Sequence, residues 1–177
     1  MPTLPQIVKQ ESIYDGRIIN VRVDTLLLPD GQQVQREVVV HNGAVVIVPI
    51  DKDDHVLLVR QYRHSAGESL LEAPAGTLEE SESPDDCAQR ELQEEVGYAS
   101  TNLRALGGFW TSPGFSTEFI YAYLARNLVE SKLSLDDDED IVVERVPTSR
   151  IPQMIRLGEI QDAKTIAALL MSTCLFN

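Results

Sequence analysis

The sequence predicts a mixed α/β fold, in which a mixed sheet lies between helices and an antiparallel β-hairpin comes first. Short runs of β-branched and aliphatic residues recur between turn signals, and two or three helical patterns interrupt them. Glycine and proline are spread evenly, and no low-complexity linker separates the elements. A length of 177 residues suits one full domain with a substantial core.

The first strands are predicted from apolar runs bounded by turns. Pro29-Asp30-Gly31 separates residues 21–28 from residues 34–40, which predicts an early hairpin. Residues 44–50 and 56–62, joined by a polar loop, predict a second hairpin with a more buried first strand. Further extended segments are predicted at residues 70–76, 118–124 and 141–146.

The clearest helix is predicted at residues 83–97. Ser83 is placed to cap it, and Pro84 suits the first helical position. Asp85 adds negative charge where the helix dipole favours it, and Gly97 supplies a left-handed stop.

Two more helices are predicted near the C-terminus. The first begins near Thr148 or Ser149 and ends at Gly158, with Pro152 tolerated in its first turn. The second is capped by Asp162. Its expected apolar stripe consists of Ile166, Leu169, Leu170 and Cys174.

Composition restricts the partners of the chain. Its net charge of −13 opposes binding to nucleic acids and to anionic membranes, because both depend on an excess of cationic side chains. Cys87 and Cys174 are too few for a disulfide framework, and the N-terminus lacks the pattern of a signal peptide. A cytoplasmic protein that acts on a small molecule is therefore expected.

Three carboxylates of the first helix are spaced to share one face. Glu91, Glu94 and Glu95 stand at positions i, i+3 and i+4. Such a face provides the oxygen ligands that Mg²⁺ prefers, and Mn²⁺ suits the same ligands. A solvated acidic face is the alternative explanation for a charge run of this kind.

The residues around these glutamates decide between the two interpretations. The residues that stand at fixed spacing are Gly76, Glu82, Arg90, Glu91, Glu94, Glu95 and Gly97, with Leu92 at an aliphatic position. This spacing resembles the signature of the Nudix hydrolase family. Tyr98 departs from the pattern, since an aliphatic residue is usual there. The resemblance implies a Nudix-type α/β/α sandwich and hydrolysis of a nucleoside diphosphate linked to another group.

The resemblance also implies roles for individual residues of this signature. Arg90 and Glu82 are expected to pair with the other signature residues and orient them for catalysis. The expected ligands of the divalent cation are Glu91, Glu95, Glu94 and the carbonyl of Ala75.

Residues outside the signature resemble the ADP-ribose pyrophosphatase group. Pro113 lies sixteen residues after Gly97, a usual mark of that group, and Glu72-Ala73-Pro74-Ala75-Gly76 matches its approach to the metal site. In Gln61-Tyr62-Arg63, the arginine is expected to contact the substrate phosphates. The expected substrate-binding residues are Arg36, Arg63, Pro113, Phe115 and Glu118.

Two glutamates are candidates for the general base. By resemblance, the base is Glu139, the only glutamate in the acidic run at residues 136–140. Glu94 is the alternative. A solvated loop is the ordinary explanation of that run, and a calcium loop is excluded because Ile141 stands where the tight-turn glycine is needed.

The leading functional expectation is the hydrolysis of ADP-ribose to AMP and ribose 5-phosphate. Hydrolysis of GDP-mannose, ADP-glucose, FAD or NADH stays open, and a non-catalytic ADP-ribose sensor is the alternative from another class. The resemblance further implies an N-terminal β subdomain at residues 1–42 and a Nudix domain at residues 43–177. The subdomain would exchange strands within a homodimer and form the adenosine side of the site, with Arg36 near the adenine.

Overall fold

A computed structural model describes residues 4–134 and 141–174. The chain divides into two compact units. The smaller comprises Met1–Gly43 and Trp110–Phe119, and the larger comprises Ala44–Phe109 and Ile120–Asn177.

The smaller unit is built on an antiparallel sheet of three strands in sequential order. Its strands are β1 (Gln6–Asp15), β2 (Asn20–Leu27) and β3 (Gln33–Val40). The early hairpin is confirmed as β2 and β3, and its turn has Gly31 at φ +84°, a conformation that favours glycine. Strand β1 is an addition that the sequence patterns did not indicate.

The larger unit contains two further sheets. Their strands are β4 (Ala44–Pro49), β5 (His55–Arg63), β6 (Glu68–Glu72), β7 (Ala75–Thr77), β8 (Tyr98–Trp110), β9 (Phe119–Glu130) and β10 (Ile141–Pro147). One sheet has the order β7-β4-β9-β8, in which β4 and β9 are parallel, and the other has the antiparallel order β10-β5-β6. The last residue of β8, Trp110, and the first residue of β9, Phe119, belong to the smaller unit.

The predicted second hairpin is wrong. Strands β4 and β5 belong to different sheets and meet only at an isolated bridge between Ile50 and Val56. Strand β4 cannot pair with β5 along its length, because β7 and β9 occupy its two hydrogen-bonding edges. The predicted extended segment at residues 70–76 likewise splits into β6 and β7 in different sheets.

The helices follow the predicted boundaries closely, with one change of type. Helix α1 (Pro84–Glu91) begins after Ser83, whose Oγ accepts a hydrogen bond from the Asp86 amide at 3.2 Å. It continues as a π-helical turn at Leu92–Val96 rather than as regular α-helix, and Gly97 ends it at φ +79°.

The two C-terminal helices are confirmed. A 3₁₀ turn at Thr148–Arg150 leads into α2 (Ile151–Leu157), and α3 (Ala163–Cys174) follows. Asp162 caps α3 by accepting the Thr165 amide at 2.9 Å. The predicted stripe is wrong at Leu170, which is 48% exposed, because Ala168 and Leu169 supply the buried face of α3.

The central strands of the larger unit, β4, β5 and β9, contribute buried residues from both of their faces, which produces the predicted sandwich. Alternate residues of β4, β5 and β9 form one apolar cluster with α2 and α3. The intervening residues form a second cluster with α1 and the π-helical turn, which contributes Leu92 and Val96. Two layers of helices therefore enclose the strands that position the acidic signature. In the described ranges, no helix combines the length and apolar character needed to cross a bilayer.

Candidate functional site

Arg90 holds three carboxylates of the acidic signature through its guanidinium group. Nε and Nη2 donate to the two carboxylate oxygens of Glu82 at 2.9 and 3.0 Å. Nη1 donates to Glu91 at 2.6 Å and to Glu94 at 2.9 Å. The expected pairing of Arg90 with Glu82 is thus present as a bidentate contact, which fixes the plane of the guanidinium.

This pairing shifts the ionisation of both partners. The hydrogen bonds from Arg90 lower the pKa of Glu82 from 4.5 to about 2, although burial acts in the opposite direction. The hydrogen bonds to Glu82, with the charges of neighbouring glutamates, raise the pKa of Arg90 above its ordinary value. Glu82 and Arg90 are therefore both charged near neutral pH.

Glu91 and Glu95 are buried against the segment that precedes the helix. Their exposed fractions are 8% and 5%. A Cβ atom at Gly76 would lie 1.8 Å from Oε1 of Glu91, so any other residue would displace this carboxylate from its present position. Glu95 accepts the backbone N–H of Ala75 at 3.0 Å. Strand β7 and the helix are thereby locked together at the residues expected to bind metal.

The chemistry of these side chains fits a hard divalent cation. Glu91, Glu94 and Glu95 offer carboxylate oxygens, and Gly76 keeps a space that any larger residue would fill. Within residues 4–134 and 141–174, however, no group of three acidic, histidine or cysteine side chains surrounds one point closely enough to hold an ion. Glu91 and Glu94 instead converge on the guanidinium of Arg90.

Arg63, the expected phosphate-binding residue, lies at the end of β5 and pairs with Glu72. Its Nε and Nη2 donate to the two carboxylate oxygens of Glu72 at 2.8 and 2.9 Å. Lys164 of α3 also donates to Glu72. Sequence reasoning did not connect these three residues, although a lone acid between apolar residues at Glu72 was a signal of a buried ion pair.

Four expected substrate-binding residues belong to the smaller unit. Arg36 lies on β3 and donates to the carbonyl of Gln35 at 2.8 Å. Pro113 and Phe115 are exposed in the loop at residues 111–118, which β3 contacts through Val39 and Phe115. The carboxylate of Glu118, at the end of this loop, accepts a hydrogen bond from Thr111 at 2.5 Å. Glu139 lies outside the described residues.

The Glu82–Arg90 pair gives a testable dependence of stability on pH. The folded-state pKa of Glu82 is about 2, below its ordinary value of 4.5, so this pair stabilises the protein above pH 4.5. That contribution is lost as the pH falls from about 4.5 towards 2. We expect Glu82→Gln to reduce the free energy of unfolding by about 1–3 kcal/mol at pH 7, and by less at pH 3. Urea denaturation at several pH values measures the difference.

Glu80→Gln is the matched control, because Glu80 is exposed in the same segment. It should change the unfolding free energy little at either pH. Equal losses at pH 7 and pH 3 for Glu82→Gln would contradict the ion-pair explanation.

Two family models match the chain. The "NUDIX domain" model matches residues 40–169, and the "Nucleoside diphosphate sugar hydrolase N-terminal domain" model matches residues 6–39. A solved structure described as "Crystal structure of ADP compounds hydrolase" superimposes with a TM-score of 0.90 and 26% identity, covering 99% of this chain and 95% of the other.

Curated relatives cover nearly the whole chain. An "ADP-ribose pyrophosphatase" of Bacillus subtilis is 36% identical, over 92% of this chain and 89% of the relative. A "Methanol dehydrogenase activator" of Bacillus methanolicus is 39% identical with the same coverage. A "GDP-mannose pyrophosphatase" of Escherichia coli K12 is 33% identical, over 92% of both chains. With the signature, the sandwich and these matches in agreement, the chain belongs to the NUDIX family.

Proposed function

We propose that the chain hydrolyses the diphosphate of ADP-ribose to give AMP and ribose 5-phosphate in a reaction that needs a divalent cation, Mg²⁺ or Mn²⁺. The observation that carries the proposal is the signature with all its glycine, arginine and glutamate positions retained, in which buried Glu91 and Glu95 stand beside Gly76. The relatives named as ADP-ribose pyrophosphatases support the choice of substrate.

The candidate site residues have separate roles in the proposed reaction. Glu91 and Glu95, with Glu94 and the Ala75 carbonyl, would hold the cation, which supplies positive charge beside the phosphoryl oxygens. Arg90 keeps the carboxylates oriented, since its guanidinium contacts Glu91 and Glu94. Arg63 would bind the substrate phosphates. Arg36, Pro113, Phe115 and Glu118 would contact the nucleoside or the sugar.

Other substrates and another class of function have specific support. The relative named as a GDP-mannose pyrophosphatase favours a different nucleotide sugar, while FAD and NADH share the same diphosphate chemistry. The relative named as a methanol dehydrogenase activator favours a regulator of a partner enzyme. Retention of all signature glutamates supports hydrolysis over a sensor without activity. A cytoplasmic location is part of the proposal, supported by the free buried thiol of Cys87.

A substrate panel tests the proposal. The protein is incubated with Mg²⁺ and ADP-ribose, GDP-mannose, ADP-glucose, FAD or NADH, and kcat/KM and products are measured. We expect ADP-ribose to give the highest kcat/KM, and Glu91→Gln and Glu95→Gln to lower it about 10²-fold or more. Glu80→Gln, an exposed change in the same segment, should leave it unchanged. Absence of turnover with every compound would reject the proposal and favour the regulator.

We propose Glu139 as the residue that positions or deprotonates the attacking water, with Glu94 as the alternative. Loss of a general base lowers kcat by roughly 10²–10⁴-fold and removes the acidic limb of its pH profile. We expect this result for Glu139→Gln and a smaller loss for Glu94→Gln. Wild-type turnover across pH in Glu139→Gln would exclude Glu139 from this role and leave Glu94.

We also propose a homodimer in which the N-terminal subdomain at residues 1–42 packs on a second copy and completes the adenosine side of the site. Strand β1 and the turn after it support this, because they expose several large apolar side chains that an isolated three-stranded sheet cannot bury. These are Ile7, Val8, Ile13, Tyr14 and Ile18, which are 49–66% exposed.

Sedimentation velocity tests the dimer. The protein should sediment at twice the chain mass of 19.7 kDa. The double substitution Ile7→Asp and Ile13→Asp should convert it to a monomer, because the charge would have to be buried against the second copy. Leu157→Asp, a similar change at an exposed leucine of α2, is the control and should leave the mass unchanged. A wild-type monomer with full activity would contradict this proposal.

A further inference from the structure

The carboxylate of Glu72 is shared by two cations that come from distant parts of the chain. Arg63 contacts both of its oxygens, and Lys164 contacts Oε2, the oxygen that also accepts from Nη2 of Arg63. Glu72 is 1% exposed. The Lys164 side chain is 17% exposed and the Arg63 side chain 37%. Two of the three charges are therefore withdrawn from water, whereas Arg63 keeps a solvent-accessible part.

The cap of helix α3 fixes the position of Lys164. Asp162 Oδ2 accepts hydrogen bonds from Lys164 Nζ at 2.9 Å, from the Thr165 amide at 2.9 Å and from Thr165 Oγ1 at 2.5 Å. Thr165 Oγ1 in turn accepts the backbone N–H of Ala73 at 2.8 Å. The first turn of α3 is thus bound to the segment that continues into Ala75, the partner of Glu95.

The charges in this network interact with a glutamate of the acidic signature. Burial alone would raise the pKa of Glu72, but the hydrogen bond from Arg63 and the charge of Lys164 lower it below its ordinary value. The hydrogen bond to Glu72 raises the pKa of Arg63, and the charges of Glu95 and Asp162 add to this effect. Arg63 is therefore within electrostatic range of an expected metal ligand.

Arg63 has donor capacity left for an anion. Its Nε and Nη2 are directed at Glu72, while Nη1 makes no hydrogen bond to any residue in the described ranges. Lys164 matters for this capacity because a buried carboxylate must be neutralised by its neighbours. Arg63 and Lys164 together balance the charges of Glu72 and Asp162, so without Lys164 this group of side chains would be net negative and would oppose the binding of a diphosphate.

We infer that Lys164 is a positioning residue for substrate binding. It acts through Glu72 to orient Arg63 and to keep the positive charge of Arg63 available to the diphosphate. This inference rests on the proposed function, in which Arg63 binds the substrate phosphates. A merely structural lysine is the competing explanation, because Lys164 also joins α3 to β6. The two explanations differ in whether the effect of Lys164 depends on Arg63.

A double-mutant cycle measured by ligand binding separates them. The dissociation constant of a methylene-bridged ADP-ribose analogue, which cannot be hydrolysed, is measured by calorimetry with Mg²⁺ for the wild type, Lys164→Met, Arg63→Ala and the double variant. We expect Lys164→Met to weaken binding roughly tenfold, and to have no further effect once Arg63 is absent, as for residues of one network. Lys52→Met, at an exposed lysine, is the control and should bind like the wild type.

Glu72→Gln provides a second arm that keeps the side-chain shape while removing its charge. Because Lys164 acts by neutralising and positioning Glu72, Lys164→Met should have little further effect on binding in the Glu72→Gln background. Losses for Lys164→Met that persist in full in Arg63→Ala or in Glu72→Gln, or wild-type affinity in Lys164→Met, would overturn the inference. If the wild type does not bind the analogue, the inference and its premise both fail, whereas binding without hydrolysis of ADP-ribose rejects the proposed function alone.

Discussion

The guanidinium of Arg90 is the interaction on which the arrangement of the acidic signature depends. Glutamates three and four residues apart repel one another on a helix, and here two of them are buried as well. Arg90 offsets this repulsion from within the same helix, because its three nitrogen atoms contact Glu82, Glu91 and Glu94. Burial of unpaired carboxylates would otherwise cost several kcal/mol each.

The sandwich supplies the rigid support that this charged cluster needs. Strand β4 is buried along its whole length, with alternate residues in each of the two apolar clusters. The parallel pairing of β4 with β9 and the short pairing with β7 fix the position of Ala75 and Gly76. The helix is held on the same strands by Ala88 and Leu92. Both halves of the site are therefore attached to one strand, and their separation is set by the core.

Local signals in the sequence predicted elements whose causes are local. The Ser83 cap, the Gly97 and Gly158 stops and the Asp162 cap all act within a few residues, and each lies where expected. Strand β1 gave no alternating signal, because nearly all of its residues are exposed.

Features that depend on distant residues could not be predicted in the same way. The prediction of a second hairpin was wrong because β4 pairs with β9, which lies more than seventy residues later in the chain. Ala44, for example, pairs with Ile120. The signature residues were found from their spacing, whereas the link between Glu72 and Lys164 spans 92 residues and has no local pattern.

The π-helical turn at Leu92–Val96 makes the number of residues in the signature as important as their type. A π-helical turn accommodates one more residue than an α-helical turn over the same rise. Loss of one residue there would restore a regular α-helix, in which Leu92 still faces the apolar cluster that includes Ala88. It would also change the positions of Glu94 and Glu95, which lie inside the turn, relative to Arg90 and Ala75. Insertions and deletions in this turn are thus more damaging to the site than to the fold.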